Sequence, residues 1–291
     1  MLYTIENDRL RVSLASERGG ELTSIYGKLT DCEYLWQGDP ASWAGQAPVL
    51  FPICGRLLEG YYTYEGKRYE MLLHGFLRKM ELSVTEKTAD AITLMATDTE
   101  ATRAAYPFSF RFYLTYSLSG DTLTVSHRVE NTDEKELIFA LGAHPGFRVP
   151  MGNDKPEDYA LTFADHITEA THVCFKNNFT SRTWKPYDLP EHKIPYSAEL
   201  FDAGSIFFTN VGDTVTLGSS VSGRFVRLDF AGFPILGLWH AEDSGAPFLC
   251  IEPWESVPSY HDKVDDLSHK FMMNRLLPGS VYEKAYTVTV G

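Results

Sequence analysis

Apolar and polar residues alternate with a period of two along much of the chain. Between 110 and 118 the even-numbered positions are apolar, from Phe110 to Leu118, and the odd-numbered ones are mostly polar. Ser-Gly-Asp at 119–121 then indicates a turn, and the alternation resumes at the odd-numbered positions from Leu123 to Val129, with His127 among them. This pattern predicts a long β-hairpin with one buried face.

Similar short runs predict strands at 10–14, 91–96, 137–141, 215–217, 225–230 and 286–290. Turn residues separate them at intervals of about 8 to 12 residues, which is typical of an all-β sandwich or barrel. Helical signals are few: residues 99–105 predict a short helix that ends before Pro107, and residues 264–273 predict a second. We therefore predict an all-β fold, a large antiparallel β-sandwich with few short helices, formed by residues 1–291 as one domain.

Composition narrows the class of protein. The chain has 291 residues with 44% apolar content, the profile of a folded globular protein. The longest nearly apolar runs, 137–143 and 233–239, are far below the roughly 18 residues that a membrane span needs. A net charge of −13 without a cluster of basic residues argues against a nucleic-acid partner. Acidic residues near the start replace the basic and then apolar run of a signal peptide, so we expect a cytoplasmic protein.

Several common site types have no motif in this sequence. Cys32, Cys54, Cys174 and Cys250 lack CxxC spacing, so we expect reduced thiols and neither a disulfide framework nor a zinc site. HxH and HExxH spacings are missing too, and no metal site is predicted. A nucleotide cofactor or a serine hydrolase would need a GxGxxG, P-loop or GxSxG motif, none of which occurs.

Four segments carry chemistry-bearing residues in unusual contexts. They are Phe-Pro-Ile-Cys-Gly-Arg at 51–56, Leu-His-Gly-Phe at 73–76, Gly-Ala-His-Pro-Gly-Phe at 142–147 and Phe-Leu-Cys-Ile-Glu-Pro-Trp at 248–254. Glu252 is the most informative residue, because burial of an unpaired carboxylate is costly and raises its pKa toward the range of a general base. The alternative is an edge-strand residue that faces solvent before Pro253 ends the strand.

The remaining candidates each have a functional and a structural interpretation. His144 and His74 lie beside glycines in turns that can direct an imidazole into a cleft, and otherwise are ordinary loop histidines. Arg56 can clamp hydroxyls or a carboxylate, or form a surface salt bridge. Trp239 and Trp254 can stack on a sugar or fill the core. His127 lies on the apolar face of the hairpin and is predicted to be a core or supporting residue.

Taken together in this order, the four segments resemble the aldose 1-epimerase (galactose mutarotase-like) family, and within it the LacX-like branch. The resemblance also covers Gly-Gly-Glu-Leu at 19–22, Leu-Gly-Leu-Trp at 236–239 and Pro-Gly at 278–279. It implies a large antiparallel β-sandwich that interconverts the anomers of a free aldose without a cofactor. It also implies a small sugar as the partner, rather than a nucleic acid or a membrane.

The resemblance implies a role for each candidate residue. Glu252 is the general base that takes the proton from the C1 hydroxyl, and His144 is the general acid that protonates the ring oxygen. His74 and Arg56 hold the sugar on the ring-oxygen side, and Trp239 belongs to the substrate-binding set. The galactose mutarotases proper use a further aspartate on the sugar hydroxyls, for which Asp202 is the nearest equivalent. A base and an acid on opposite sides of the sugar suit this ring opening.

Two other classes of function stay open at this point. One is a carbohydrate-binding protein on the same fold without turnover, which would not require the Glu252 and His144 pair. The other is a glycoside hydrolase or lyase, which would need a second carboxylate near Glu252. The carboxylates near it in sequence are Asp229, Glu242, Asp243 and Glu255.

Overall fold

Strands dominate the computed structural model, which describes residues 1–202, 204–242 and 244–291. About 49% of the chain is strand and 10% is helix. The strands are β1 Leu2–Glu6, β2 Leu10–Ala15, β3 Glu21–Gly27, β4 Cys32–Glu33, β5 Val49–Leu50, β6 Tyr61–Tyr64, β7 Lys67–Glu70, β8 Ser83–Lys87, β9 Ala91–Thr97, β10 Phe110–Ser119, β11 Thr122–Asn131, β12 Leu137–Phe139, β13 Gly142–Ala143, β14 Gly146–Arg148, β15 Tyr159–Phe163, β16 Glu169–Lys176, β17 Phe179–Asp188, β18 Lys193–Pro195, β19 Ile206–Thr209, β20 Thr214–Ser219, β21 Phe225–Asp229, β22 Ile235–Trp239, β23 Phe248–Trp254, β24 Asn274–Leu276 and β25 Val281–Val290.

The helical segments are short. The single α-helix of the described residues is α1, Glu100–Ala105. Turns of 3-10 helix occur at Ser16–Arg18, Leu58–Gly60, Leu77–Lys79, Pro156–Asp158, Pro190–His192, Ala198–Phe201 and Leu267–His269. In the part of the chain that the structure describes, no helix has both the length and the apolar character that crossing a membrane requires.

Two large antiparallel sheets form the molecule. One has nine strands in the order β18-β15-β20-β21-β25-β11-β10-β9-β8. The other has eight strands, in the order β17-β16-β19-β22-β23-β13-β5 with β14 also paired to β23. Strands β1 to β4 form a third, four-stranded sheet. One continuous apolar core contains side chains of all three, such as Val12, Phe112 and Ile251, so the sheets pack face to face as a sandwich. The predicted fold class is confirmed.

The predicted hairpin is confirmed residue by residue. Strands β10 and β11 pair from Phe110 opposite Asn131 to Ser119 opposite Thr122, with Gly120 and Asp121 left as the turn. The alternate residues of β10 from Phe110 to Leu118 are buried, as the period of two requires. The first predicted helix is confirmed as well. Thr99 caps α1 by accepting a hydrogen bond from the backbone N–H of Thr102.

Two predicted elements differ from the structure. The second helix, predicted over 264–273, is wrong: this stretch contains only the 3-10 turn Leu267–His269. Its Lys270 ammonium turns inward to the carbonyl of Val257 at 2.9 Å, and Met272 has a left-handed φ of 58°, so the chain leaves the helical path. The strand predicted over 137–141 ends at Phe139, because β12 pairs with β24 whereas the following β13 joins the eight-stranded sheet.

Candidate active site

The first two of the four segments are bonded to each other. The backbone N–H of His74 donates to the carbonyl of Gly55 at 2.8 Å, and that of Phe76 donates to the carbonyl of Phe51. His74 and Gly75 both have left-handed backbones, with φ of 63° and 75°. A Cβ on Gly75 would fall 2.1 Å from the Phe51 carbonyl oxygen, so only glycine allows this approach. The tight turn therefore fixes the position of the His74 ring.

The other two segments meet through the register of strand β23. Gly142 of β13 pairs with Trp254, and Gly146 of β14 pairs with Cys250. His144 lies midway between the two glycines and therefore stands opposite Glu252. The backbones of His144 and Glu252 are not themselves paired. Strand β22 pairs with the other side of β23, Gly237 opposite Glu252. Glu252 thus lies inside the sheet, and its interpretation as a solvent-facing edge residue is wrong.

His144 and Glu252 form a buried pair. Nε2 of His144 lies 3.4 Å from Oε2 of Glu252, and the Glu252 side chain is only 1% exposed. Burial raises the pKa of Glu252 well above its ordinary value. Burial likewise lowers the pKa of His144 to about 3. The two groups lie side by side rather than on opposite sides of a sugar, which corrects the arrangement expected from the sequence.

His74 supplies a neutral imidazole beside this pair. Its Nδ1 accepts a hydrogen bond from the backbone N–H of Gly55 at 3.1 Å, so a neutral His74 carries its proton on Nε2. Burial, followed by the nearby His144, Arg78 and Arg56, holds the pKa of His74 well below the usual range. The rings of His74 and His144 are 5.4 Å apart, edge to face. His74 is therefore a hydrogen-bond donor next to the acid–base candidates.

Aromatic rings surround His144. Trp43 lies 5.1 Å from its ring centroid and Trp239 lies 5.4 Å away. Strand β14 allows this packing because it begins with glycine: a Cβ on Gly146 would come within 2.7 Å of the Trp43 ring. Rings that exclude water strengthen the desolvation that shifts the pKa of His144.

One cavity of about 410 Å³ opens onto these groups, a volume in the usual range for small-molecule sites. The predicted residues Arg56, His74, His144, Trp239 and Glu252 all line it. Trp254, the second tryptophan considered for stacking, lines it as well. Asp202 does not: it is exposed and follows the 3-10 turn Ala198–Phe201. The structure therefore brings together five of the six residues predicted to form the site.

Several cavity residues were not predicted as site members. Apart from Trp43, they include Arg78, Asn177, Asn178 and Glu242. Asn177 and Asn178 have left-handed φ values of 54° and 64° and form the two-residue turn between β16 and β17. The Asn-Asn pair between apolar runs was a turn signal, but nothing in the sequence indicates that this turn reaches the cavity.

The cavity concentrates polar atoms that have no protein partner. Among the described residues, nine buried side-chain nitrogen or oxygen atoms lack a hydrogen bond, and five of them belong to cavity residues. These five are Nε of Arg78, Nδ1 of His144, both carboxylate oxygens of Glu252 and Nε1 of Trp254. Because buried polar groups are normally satisfied, the cavity is suited to a ligand rich in hydroxyl groups.

His127 lies away from this cavity, in the core of the hairpin. It is 1% exposed and lies 6.1 Å from the rings of both Phe112 and Tyr286. Burial lowers its pKa to about 4. The prediction that His127 belongs to the core is confirmed.

The carboxylates considered for a hydrolase are mostly elsewhere. Glu255 is buried outside the cavity lining, where it accepts from the backbone N–H of Leu141 at 2.9 Å. Asp229 ends β21 in the nine-stranded sheet, and Asp243 lies outside the described residues. Glu242 is the other carboxylate among the described cavity residues, and it is exposed at the rim.

Comparison with known proteins gives consistent results. A family model described as "Aldose 1-epimerase" matches residues 1–261. Protein LacX of Lactococcus lactis subsp. lactis is 31% identical, over 100% of this chain and 99% of that protein. A solved structure of a galactose mutarotase related enzyme from Lactobacillus acidophilus has a TM-score of 0.95 at 32% identity, covering 100% of this chain and 97% of that one. A galactose mutarotase-like protein from Lactobacillus casei has a TM-score of 0.92 at 30% identity, with full coverage of both chains.

Proposed function

The chain belongs to the aldose 1-epimerase family, and we propose that it is a mutarotase that interconverts the α and β anomers of a free aldose. The observation that carries this proposal is the buried pair of His144 and Glu252, 3.4 Å apart at the cavity. A mutarotase needs one group to remove a proton from the C1 hydroxyl and another to protonate the ring oxygen. Both oxygens are bonded to the same carbon, so adjacent acid and base groups suit this chemistry.

The proposed reaction begins with Glu252 as a carboxylate and His144 as an imidazolium. Glu252 takes the proton of the C1 hydroxyl while His144 gives its proton to the ring oxygen, and the bond between C1 and that oxygen breaks. The C1–C2 bond rotates, and the steps run in reverse on the other face of the carbonyl. The protein begins and ends with the same proton, so the reaction needs no oxidant, nucleophile or metal.

Burial favours the form of the pair that the opened state contains. After ring opening, Glu252 is a neutral carboxylic acid and His144 is a neutral imidazole. Burial raises the pKa of Glu252 and lowers that of His144, so it stabilises this uncharged pair. Burial therefore lowers the free energy of the uncharged pair relative to the ion pair, both in the empty cavity and after ring opening.

The other cavity residues are proposed to hold the sugar. Arg56 and Arg78 provide guanidinium donors, and the His74 ring, 5.4 Å from that of His144, provides an Nε2–H donor. Trp43, Trp239 and Trp254 offer apolar faces to the C–H groups of a pyranose. A role for Asp202 on the sugar hydroxyls stays a prediction, as do a cytoplasmic location, a single domain and the exclusion of nucleic acid as a partner.

The proposal is tested by measuring anomer exchange directly. NMR exchange spectroscopy on a panel of aldoses, at equilibrium and with catalytic amounts of protein, detects interconversion that exceeds the uncatalysed rate. We expect accelerated exchange for at least one sugar of the panel. Sugar binding without accelerated exchange would favour the carbohydrate-binding alternative.

The hydrolase alternative has its own measurement on the same preparation. We expect no release of the leaving group from nitrophenyl glycosides, because the pair has one carboxylate and one imidazole instead of two carboxylates. Glycoside cleavage that is lost in both Glu252→Gln and Glu242→Gln would replace the mutarotase proposal by a hydrolase.

A further inference from the structure

Three buried side chains with metal-binding atoms converge at the cavity, which His144 and Glu252 line and Cys250 does not. Cys250 and Glu252 are two residues apart in β23, so they lie on the same face of the sheet. His144 stands opposite Glu252, between the ladder pairs of Gly142 and Gly146. A ring nitrogen of His144, the sulfur of Cys250 and a carboxylate oxygen of Glu252 all lie within 4.8 Å of one another.

The donor atoms of this trio are not occupied by other groups of the described chain. Both carboxylate oxygens of Glu252 are buried without a hydrogen bond, and Nε2 of His144 lies 3.4 Å from one of them. Cys250 is a free thiol that is fully buried. Acid–base chemistry on a sugar accounts for His144 and Glu252, but it gives no task to Cys250.

The spacing suits a tetrahedral zinc ion. Zinc binds histidine nitrogen and carboxylate oxygen at about 2.0–2.2 Å, which makes neighbouring ligands of a tetrahedron roughly 3.4 Å apart. The observed separation of Nε2 of His144 and Oε2 of Glu252 is 3.4 Å. Cysteine sulfur binds at about 2.3 Å, so in the loaded site it would lie roughly 3.6 Å from the other two donor atoms, against an upper bound of 4.8 Å in the structure.

Charge and ligand type select the kind of metal. A thiolate and a carboxylate together neutralise a divalent ion, and the third ligand, imidazole, is neutral, so the loaded site adds no net charge to its aromatic surroundings. Magnesium and calcium prefer six or more oxygen ligands, which this trio does not provide. A mixed set of sulfur, nitrogen and oxygen favours zinc or a metal of similar softness.

We propose that His144, Cys250 and Glu252 bind one Zn²⁺ ion, with the fourth position open to the cavity. Binding releases the thiol proton to solvent, together with the proton that the His144–Glu252 pair carries. The ion occupies the acid–base pair, so it inhibits the enzyme rather than assisting it. The inhibition rests on the proposed mutarotase function, whereas the binding does not.

Cobalt titration of the purified full-length chain tests the binding. Co²⁺ bound to a thiolate gives a sulfur-to-cobalt charge-transfer band in the near ultraviolet. We expect this band at one equivalent of CoCl2 and its displacement by ZnCl2. Cys250→Ser should abolish the band and weaken Zn²⁺ affinity by at least about tenfold, since loss of an outer-shell partner alone costs about 10–100-fold. The matched control is Cys174→Ser, at a half-buried cysteine of β16, which should keep the band.

Two results would overturn the proposal. One is the absence of a charge-transfer band in the wild type, and the other is a band that survives Cys250→Ser. Near-ultraviolet circular dichroism without metal checks that the variant is folded. If it is not, His144→Asn replaces it, and that variant should weaken Zn²⁺ binding to a similar extent. Because these readouts involve no turnover, they stand even if no sugar is epimerised. If Zn²⁺ does not inhibit catalysis, the proposed inhibition is wrong, whereas the proposed binding stands.

Discussion

At the scale of single residues, the proposed chemistry depends on Glu252 and His144, whose pKa values burial shifts in opposite directions. Burial raises the pKa of Glu252 and lowers that of His144, so between these two pKa values the pair carries one proton in total. The reactive form, with the proton on His144, and the uncharged form therefore contain the same number of protons. A change of pH between the two pKa values therefore does not alter the ratio of the reactive form to the uncharged form.

This proton count predicts the dependence of activity on pH. We expect kcat/KM, after subtraction of the uncatalysed rate, to be flat across neutral pH. The value of kcat/KM should fall at alkaline pH, when the pair loses its one proton. Under acidic conditions it should fall only near pH 3, the pKa at which His144 binds a second proton to the pair. Polarimetric rates in buffers of constant ionic strength measure the profile. An acid limb centred near 6.5 would mean that His144 titrates like an exposed imidazole.

At the scale of elements, tight turns set where the catalytic side chains lie. Gly75 and Gly66 allow a clean comparison, because both have left-handed φ values, 75° and 74°. A Cβ on Gly66 would meet nothing within 4 Å, whereas one on Gly75 would meet the Phe51 backbone. We expect Gly66→Ala to lower the free energy of unfolding by roughly 1–2 kcal/mol, the cost of the left-handed backbone alone.

Gly75→Ala should cost more than its control and should also reduce turnover, because it displaces the adjacent His74. Urea unfolding and polarimetry on both variants measure the two effects. Equal losses of stability in the two variants, with unchanged turnover, would show that the close approach of the turn to Phe51 has no functional importance.

The elements that could be predicted from sequence are those whose pattern is local. The β10–β11 hairpin follows from alternation and a Gly-Asp turn, and α1 follows from its cap and the proline that succeeds it. The helix predicted over 264–273 failed because the Lys270 ammonium is buried against Asp265 of the same segment and the carbonyl of Val257, which lies outside it. A hydrogen bond from a lysine to a carbonyl outside its segment cannot be recognised from the sequence of that segment alone.

The site could be predicted only in part for the same reason. His144 and Glu252 could be selected from their unusual sequence neighbourhoods. Their contact, however, depends on how β13 and β14 pair with β23, and no single segment encodes that pairing. Trp43 and Asn178 enter the cavity from irregular or turn segments, whose positions depend on the sheets around them. Spacing along the chain likewise gave no indication that Cys250 lies within ligand distance of His144.

At the scale of the whole molecule, buried histidines couple folding to pH. Burial lowers the pKa of His127 to about 4, against about 6.5 in an unfolded chain. Between these values the unfolded state binds the proton and the folded state does not, so stability falls as pH decreases. The difference in pKa corresponds to about 3 kcal/mol for this one residue.

Replacement of His127 should remove that contribution. We expect the free energy of unfolding of His127→Leu to depend less steeply on pH between about 6.5 and 4 than that of the wild type, with turnover retained. The matched control is His269→Leu, at a histidine whose side chain is 79% exposed, which should keep the wild-type slope. Urea unfolding at several pH values measures this. An unchanged slope in His127→Leu, or loss of turnover at unchanged stability, would contradict the core assignment.

The central claim is that Glu252 is the base of a mutarotase, and one comparison tests it most directly. Freshly dissolved α-D-glucose and α-D-galactose are followed by polarimetry with wild type, Glu252→Gln and, as a control, the exposed Glu134→Gln. We predict faster decay to the equilibrium rotation with the wild type and the control, and a loss of about 10²–10⁴-fold in Glu252→Gln. The melting temperature of Glu252→Gln should stay close to that of the wild type, because the amide has the shape of the carboxyl group and replaces one buried polar group that lacks a hydrogen bond by another. Equal acceleration by Glu252→Gln and wild type would contradict the account.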